Sequence, residues 1–150
     1  MKIESFSGEH RFLSNFYPSV IEYEGIPYPT VEHAYQAAKS LDKIARNVIS
    51  VANSPGLAKK MGQILIIRDD WESVKVFIMH ELLIKKFSDP ELRSKLMATG
   101  TSDLIEGNTW GDTFWGVCRG VGKNKLGTLL MAIRNELIWD QQVDRNDINA

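Results

Sequence analysis

Hydrophobic and polar positions along the chain recur mainly with the period of a helix. The clearest segment follows Thr30, which stands after Pro29 and is typical of a helix N-cap. Apolar residues then recur at intervals of three and four, which predicts one long first helix with a single apolar stripe. The stripe consists of Val31, Ala34, Tyr35, Ala38, Leu41, Ala45, Val48 and Ile49.

Further helices are predicted from residues that are typical of helix ends. Ser54-Pro55 and Asp89-Pro90 each place a proline where the first turn of a helix tolerates it. Gly62 and Gly100 are the expected C-terminal limits of these two helices. The last helix is predicted over roughly 125–139, with apolar residues on one face. These are Leu126, Leu129, Leu130, Ile133 and Leu137.

The longest helix is predicted to begin at a capping box. Asp69 and Glu72 have the required spacing, with Asp in place of the usual Ser or Thr, and the helix is expected over about 70–87. Its middle has little polar surface, so it should be a central core helix. The residues that indicate this are Val74, Phe77, Ile78, Met79, Leu82 and Leu83.

Short strands are predicted outside these helices. Segments 20–23 and 26–28 flank Glu24-Gly25 and predict a tight hairpin, with Pro27 placing the second strand at an edge. Leu104-Ile105 is a further candidate strand. Because strands do not alternate regularly with helices, a doubly wound parallel sheet is disfavoured. The sequence predicts an α+β fold, a mostly helical single domain over residues 1–150 with a small β-sheet.

Composition restricts the classes of function. The 150 residues are 43% hydrophobic and 25% charged, as in an ordinary globular domain. The formal net charge of -1 lacks the basic excess typical of proteins that hold duplex DNA by its phosphates. Cys118 is the single cysteine and the three histidines show no metal-binding spacing, so neither a metal nor a cofactor is predicted. The N-terminus is polar and no apolar run approaches the ~20 residues of a membrane span, so we expect a cytoplasmic protein without a membrane partner.

The first predicted helix carries polar side chains suited to chemistry. Gln36, Lys39 and Lys43 fall within about 40° of Glu32 around the helix axis, so a carboxylate, an amide and an amine share one face. An ionised glutamate near a sugar could stabilise positive charge developing at C1 or position a water. The alternative is a solvated polar face with ordinary i,i+4 pairs.

A glycine-rich segment, 107–122, is unusually aromatic. Trp110 and Trp115 could form a wall against a planar ligand. Asp112 between them could act as a general acid or base, since apolar neighbours raise the pKa of a carboxylate. The equally weighted alternative is that the tryptophans fill the core while Asp112 makes an Asx turn.

Two other features can each be interpreted either as part of a binding site or as ordinary structure. Gly122, Lys123 and Asn124 precede the last helix, where a phosphate could bind, although a plain helix start is the alternative. Trp71 lies at the start of the central helix, where a tryptophan is more often part of the core than of a ligand wall.

Six short motifs follow one another from about Phe12 to Leu137. They are Ser14-Asn15-Phe16-Tyr17; Pro29-Thr30-Val31-Glu32-His33 with Gln36 and Lys39; Ser54-Pro55 with Met61-Gly62; Trp71-Glu72-Ser73-Val74-Lys75; Trp110-Gly111-Asp112; and Gly120-Val121-Gly122-Lys123-Asn124-Lys125-Leu126-Gly127. In this order they resemble the NADAR, or YbiA-like, family.

The resemblance implies a mostly helical α+β fold and hydrolysis of an N-glycosidic bond. One branch of that family acts on phosphorylated riboflavin-pathway intermediates, and another removes ADP-ribose from nucleobases, including guanine in DNA. The resemblance gives functional weight to Glu32, Trp71 and Asp112. In the ADP-ribose branch it implies that Lys39 forms a transient imine with the opened ribose.

This chain also departs from the family pattern. Val31, Ala34 and Ser40 replace a frequent Ser, a bulkier aromatic residue and a frequent Phe, which changes the pocket wall beside Glu32. The apolar segment 64–67 stands where some members carry basic residues. These departures concern the substrate branch rather than the reaction class.

We therefore predict an N-glycosidase that acts at a ribose C1. Its partner would be a nucleotide-like small molecule or an ADP-ribosylated nucleobase, possibly within DNA. The predicted catalytic residues are Glu32, Lys39 and Asp112. The predicted substrate-binding residues are Asn15, Phe16, Gln36, Trp71, Trp110, Gly111, Trp115, Lys123 and Asn124. The alternatives are a non-catalytic ADP-ribose- or nucleotide-binding module and a plain interaction domain with a tryptophan-filled core.

Overall fold

The computed structural model describes residues 1–149 and contains short strands among a larger number of helices. Within this range the α-helices are α1 Val31–Ala38, α2 Lys43–Ser50, α3 Pro55–Gly62, α4 Trp71–Lys86, α5 Pro90–Ala98 and α6 Lys125–Asn149, and a 3-10 helix spans Gly8–Leu13. The strands are β1 Lys2–Ile3, β2 Ile21–Tyr23, β3 Ile26–Tyr28, β4 Asp103–Leu104, β5 Gly107–Asn108 and β6 Val117–Cys118.

The strands form three two-stranded pairs across residues 1–149 rather than one sheet. β2 pairs with β3 in antiparallel orientation, whereas β1 pairs with β4 and β5 pairs with β6 in parallel orientation. The predicted α+β class is confirmed, with the β-structure divided among these pairs. The candidate strand at Leu104-Ile105 is present one residue earlier, as β4.

Two compact units divide the chain. The central unit, Asn15–Ser88, contains the β2–β3 hairpin and helices α1 to α4. The terminal unit combines Met1–Ser14 with the chain from Asp89 onward and contains the other strands, α5 and α6.

Local signals located several elements correctly. Thr30 caps α1 by accepting a hydrogen bond from the backbone N–H of His33, and Ser54 caps α3 through Leu57 in the same way. Asp89 caps α5 through Leu92. In the hairpin, Glu24 and Gly25 have φ angles of 46° and 85°, the left-handed pair that a two-residue turn requires.

The predicted single first helix is wrong, because the chain breaks between α1 and α2. The Ser40 hydroxyl accepts a hydrogen bond from the Asp42 backbone N–H, and the Asp42 carboxylate then caps α2 at Ile44. Arg46 fixes the break from the other side, since its buried guanidinium donates from Nε to the Ser40 carbonyl at 2.7 Å. Leu41 is consequently 67% exposed instead of lying in a continuous stripe.

The predicted capping box before α4 is also wrong. Asp70 is the N-cap residue, and within the described chain its side chain makes no capping bond. Its carboxylate instead accepts from the Arg68 guanidinium at 2.6 Å. The core assignment of this helix is confirmed by the burial of Ile78, Met79, Leu82 and Leu83, whereas Phe77 is 77% exposed.

The last helix exceeds its predicted length. α6 begins at Lys125 as expected but continues past Trp139 to Asn149. Its buried face includes Leu126, Leu130 and Ile133. Within residues 1–149, no helix combines the length and apolarity that crossing a bilayer requires.

Candidate functional site

The short helix α1 is buried along its whole length, including its polar residues. It packs against α2, α3 and α4 within the central unit. Glu32 and Gln36 are only 7% and 4% exposed, so the interpretation of this face as a solvated one is wrong for these two residues. Lys43 does not continue the face, because it belongs to the separate helix α2 and is exposed.

The Glu32 carboxylate is held by hydrogen bonding and by its place in the helix. The Gln36 amide donates from Nε2 to Glu32 Oε1 at 2.8 Å. Glu32 lies in the first turn of α1, where the helix dipole stabilises an anion. Its backbone N–H donates to the Asn15 carbonyl at 3.1 Å, which ties this turn to the segment before the hairpin.

Gly62, at the end of α3, leaves the room that the Gln36 side chain occupies. A β-carbon at position 62 would overlap the Gln36 amide oxygen and crowd the rest of that side chain. The position of Gln36, and through it that of Glu32, therefore depends on close approach of the α3 backbone.

Two aromatic rings stand beside the lysine at the end of α1. The rings of Tyr35 and Trp71 lie 5.1 Å apart at an angle of 52°. Lys39 Nζ lies 5.6 Å from the centre of the Tyr35 ring, within the range of a cation–π contact. Trp71 is only 5% exposed, so it packs mainly inside the unit, as its position at a helix start suggested.

The surroundings of Lys39 lower the pKa of its amine. Burial lowers its pKa below the ordinary lysine value, and the positive charges of Lys59 and Lys75 lower it further. Glu32 acts in the opposite direction and raises the pKa of Lys39. An amine with a lowered pKa is a better nucleophile near neutral pH than an ordinary lysine.

Asn15 and Phe16 lie just before the hairpin. Asn15 is buried, and its amide nitrogen donates to the Met79 sulfur at 3.6 Å. Its Oδ1 has no hydrogen-bond partner among the described residues, and the same is true of Gln36 Oε1. Buried acceptors without donors are uncommon in proteins, and a ligand or a water is the usual explanation. Phe16 is 37% exposed.

The Trp110-Gly111-Asp112 turn belongs to the terminal unit. Asp112 Oδ1 accepts from the backbone N–H groups of Phe114 at 3.0 Å and Trp115 at 2.9 Å. These bonds form the Asx turn that was one interpretation of Asp112. Trp110 is 62% exposed and does not fill the core, which excludes that part of the same interpretation.

Asn108 holds this turn in place. Its amide accepts from the Asp112 backbone N–H at 3.1 Å and donates to the Asp112 carbonyl at 2.9 Å. The half-buried Trp115 stacks edge to face with Phe114 at 4.8 Å, and the exposed Gly111 lies between Trp110 and Asp112.

The predicted phosphate contacts before α6 differ in their surroundings. Asn124 Oδ1 accepts from the Glu106 backbone and Nδ2 donates to the Leu104 carbonyl, so both ends of its amide serve the terminal unit itself. Lys123 is exposed, and its Nζ lies 5.7 Å from the centre of the Phe114 ring.

Sequence reasoning missed several residues that shape these two places. Lys59 and Lys75 come from α3 and α4 and reach the Lys39 environment only through tertiary packing. Tyr35 was assigned only to the apolar stripe, and Asn108 was not singled out. Two sequence signals were available: the i,i+4 spacing of Tyr35 and Lys39, and the place of Lys75 in one of the six motifs. Among residues 1–149 no group of three or more metal-ligating side chains could hold a metal ion.

Comparison with known proteins identifies the family. The model of the NADAR domain matches residues 4–138, a range that includes parts of both units. The chain belongs to the NADAR family. It is 41% identical over 137 residues to N-glycosidase YbiA of Escherichia coli, covering 89% of this chain and 85% of that protein. The solved NMR structure of E. coli YbiA matches with a TM-score of 0.83 at 38% identity, over 95% of this chain and 86% of that chain.

Two other relatives are named as an N-glycosidase and as a riboflavin biosynthesis protein. N-glycosidase Npun_R5314 of Nostoc punctiforme is 38% identical over 132 residues, covering 83% of this chain and 84% of that protein. The chloroplastic riboflavin biosynthesis protein PYRR of Zea mays is 38% identical over 145 residues, with 84% of this chain but 23% of that protein covered. The expectation of an N-glycosidase is confirmed at the level of reaction class: this NADAR protein hydrolyses an N-glycosidic bond.

The close approach of Gly62 and Gln36 predicts that Gly62→Ala destabilises the protein. Alanine favours a helix by about 1 kcal/mol over glycine, but overpacking of a buried site typically costs about 1–3 kcal/mol. We expect a net loss in the free energy of unfolding measured with urea. Gly56→Ala, in the same helix, is the matched control, since its β-carbon would meet only Ser54 Oγ at 3.9 Å. Equal effects of the two substitutions would refute this account of Gly62.

The charges around Lys39 predict opposite effects of two substitutions on its pKa. Glu32→Gln removes the anion that raises this pKa, so the pKa should fall. Lys75→Met removes a cation that lowers it, so the pKa should rise. Competitive acetylation followed over a pH series by mass spectrometry reports the Lys39 pKa, with the exposed Lys43 as internal reference. A shift in the same direction for both variants would contradict this assignment of neighbours.

Proposed function

We propose that the protein cleaves the bond between a ribose C1 and a ring or exocyclic nitrogen of a nucleotide-like substrate. The observation that carries the proposal is the buried Glu32 carboxylate, fixed by Gln36, within electrostatic reach of an amine whose pKa is lowered. A carboxylate held in a dry environment is suited to stabilising the positive charge that develops at C1 as the bond to nitrogen breaks.

The proposed reaction divides the chemistry among the chain's own side chains. As the C1–N bond breaks, the departing nitrogen takes a proton and a water oxygen forms the new bond to C1. Glu32 stabilises the oxocarbenium-like state or orients that water, and Asp112 acts as the acid or base. Asn15 Oδ1 and Gln36 Oε1, which lack donors among the described residues, would accept hydrogen bonds from sugar hydroxyls or from the water.

Aromatic residues and lysines complete the proposed binding groups. Trp110, exposed on its turn, and Phe16 offer ring surface to a base or an isoalloxazine-like ring. Trp71 would act through Tyr35 rather than as an exposed wall, because it is buried. The cluster of Lys39, Lys59 and Lys75 supports a phosphorylated substrate, and Lys123 would supply a further phosphate contact.

Two substrate classes fit this proposal. One is ADP-ribose attached to a nucleobase such as guanine in DNA, and the other is a phosphorylated intermediate of the riboflavin pathway. The relative from Zea mays that is named as a riboflavin biosynthesis protein favours the second class.

Isosteric substitution of the two carboxylates tests the assignment. Each of Glu32→Gln and Asp112→Asn should lower turnover by about 10²–10⁴-fold, the usual effect of losing an acid or base group. Asn at position 112 retains an oxygen for the two backbone bonds of the turn, so this variant removes the charge while sparing the fold. Products are identified by mass spectrometry after incubation with aminopyrimidine ribose phosphates and, separately, with ADP-ribosylated guanine in DNA.

The two sets of substrates, aminopyrimidine ribose phosphates and ADP-ribosylated guanine in DNA, form two panels whose products distinguish the substrate classes, and the two variants test the roles of the carboxylates. Release of a free base or pyrimidine from one panel names the substrate class. Near-full turnover by both variants would overturn the roles of Glu32 and Asp112. Product from neither panel would overturn both substrate classes.

The role of Lys39 has a separate test. If its amine attacks C1, the nitrogen of the base leaves with a proton, the ribose ring opens, and an imine links Lys39 to C1. Borohydride adds hydride to that imine, so we expect a stable adduct on Lys39 by peptide mass spectrometry. Lys39→Arg keeps the positive charge and should give no adduct. Absence of the adduct while product forms would leave Lys39 as a phosphate-binding group.

A further inference from the structure

Helix α2 presents a row of apolar side chains to solvent. The row, named here the α2 ridge, consists of Leu41, Ile44, Val48 and Val51, which are 67%, 74%, 50% and 76% exposed. Spacings of four and three place Ile44, Val48 and Val51 on one side of α2, and Leu41 lies just before its N-cap Asp42. Arg46 and Ile49 on the opposite side are buried, which fixes the outward direction of the ridge.

A second apolar segment continues this surface. Ile64, Ile66 and Ile67 are 86%, 93% and 47% exposed in the connection between α3 and α4. A groove of about 510 Å³ lies between this segment and the start of α2. It is lined by Ser40, Leu41, Asp42, Ala45, Ile64, Leu65, Ile66, Ile67, Arg68 and Asp69. Ridge and groove therefore form one continuous face of the central unit.

Three of the four polar residues that line the groove, Ser40, Asp42 and Arg68, make hydrogen bonds within the chain. The Ser40 hydroxyl and the Asp42 carboxylate bond the backbone at the break before α2. The Arg68 guanidinium pairs with Asp70 through two bonds of 2.6 and 3.1 Å. Apolar side chains supply most of the remaining lining, so the groove favours an apolar occupant over a nucleotide or a phosphate.

The extent of this face matches a protein interface. Seven apolar side chains that are each 47% to 93% exposed lie on this face. Apolar groups clustered in this way on a soluble protein mark an interaction surface, and a stable interface of standard size buries about 800 Å² on each side. A single small ligand would cover only part of it.

We propose that this face joins two copies of the chain in an isologous dimer, with the α2 ridge of each copy seated in the groove of the other. A ridge and a groove on the same face are self-complementary, which is what two-fold association requires. Charge agrees with this arrangement, because the exposed Lys43 flanks the ridge while the exposed Asp69 borders the groove. The acidic border, which also includes Asp42, disfavours an anionic membrane as the occupant.

Sedimentation equilibrium of the full chain from about 1 to 100 µM tests the association at concentrations where interfaces of this size assemble. We expect a dimer, and Ile66→Glu should raise the dissociation constant at least about 100-fold, since it buries a charge in an apolar interface. Phe77→Glu is the matched control, because Phe77 is 77% exposed on α4 outside both apolar segments. It should leave the dissociation constant unchanged, and circular dichroism melting verifies that both variants fold.

Charge reversal tests the proposed orientation of the two copies. Lys43→Asp should weaken the dimer, and adding Asp69→Lys to the same chain should restore it. A monomer throughout the concentration range, or a dimer that Ile66→Glu does not weaken, would overturn the proposal. Co-sedimentation of a monomeric chain with phosphatidylcholine vesicles, lost in Ile66→Glu, would overturn it in favour of a lipid surface.

Discussion

A carboxylate removed from water must be stabilised from within the protein, and in the central unit this constraint decides the arrangement around α1. Glu32 is stabilised by the Gln36 amide and by the N-terminal turn of its own helix. Gln36 in turn needs the space that Gly62 provides. Gly62 is therefore connected to Glu32 through the buried side chain of Gln36. Small changes in the packing of α3 would move Gln36 and so alter the position of the carboxylate.

The break after α1 has consequences on both sides. On the inner side it ends the helix at Lys39, whose amine then lies over Tyr35 and near the charges of α3 and α4. On the outer side it turns α2 so that Arg46 and Ile49 face inward and the ridge faces solvent. One local rearrangement, maintained by the bond from Arg46 to the Ser40 carbonyl, thus shapes the lysine environment and creates the apolar face.

The turn around Asp112 is fixed by hydrogen bonds to both its side chain and its backbone. One carboxylate oxygen accepts two backbone N–H groups, and Asn108 secures the backbone of the same residue. Such bonds cost the side chain much of its freedom to move. The aromatic residues of the segment are divided between packing, for Trp115, and exposure, for Trp110.

The sequence itself determined the features that depend on residues a few positions apart. These are the helix caps at Thr30, Ser54 and Asp89, the hairpin turn at Glu24-Gly25 and the ordered motifs. Those motifs sufficed for the family and the reaction class. Burial was decided only by the tertiary structure. Glu32 and Gln36 could have formed a solvated helix face, but they are buried because other elements pack around α1, with α3 lying against Gln36. The tertiary structure also brought Lys59 and Lys75 to Lys39 and left Leu41 exposed. The sequence could not show this, because periodicity indicates which residues share a face but not which element will cover that face.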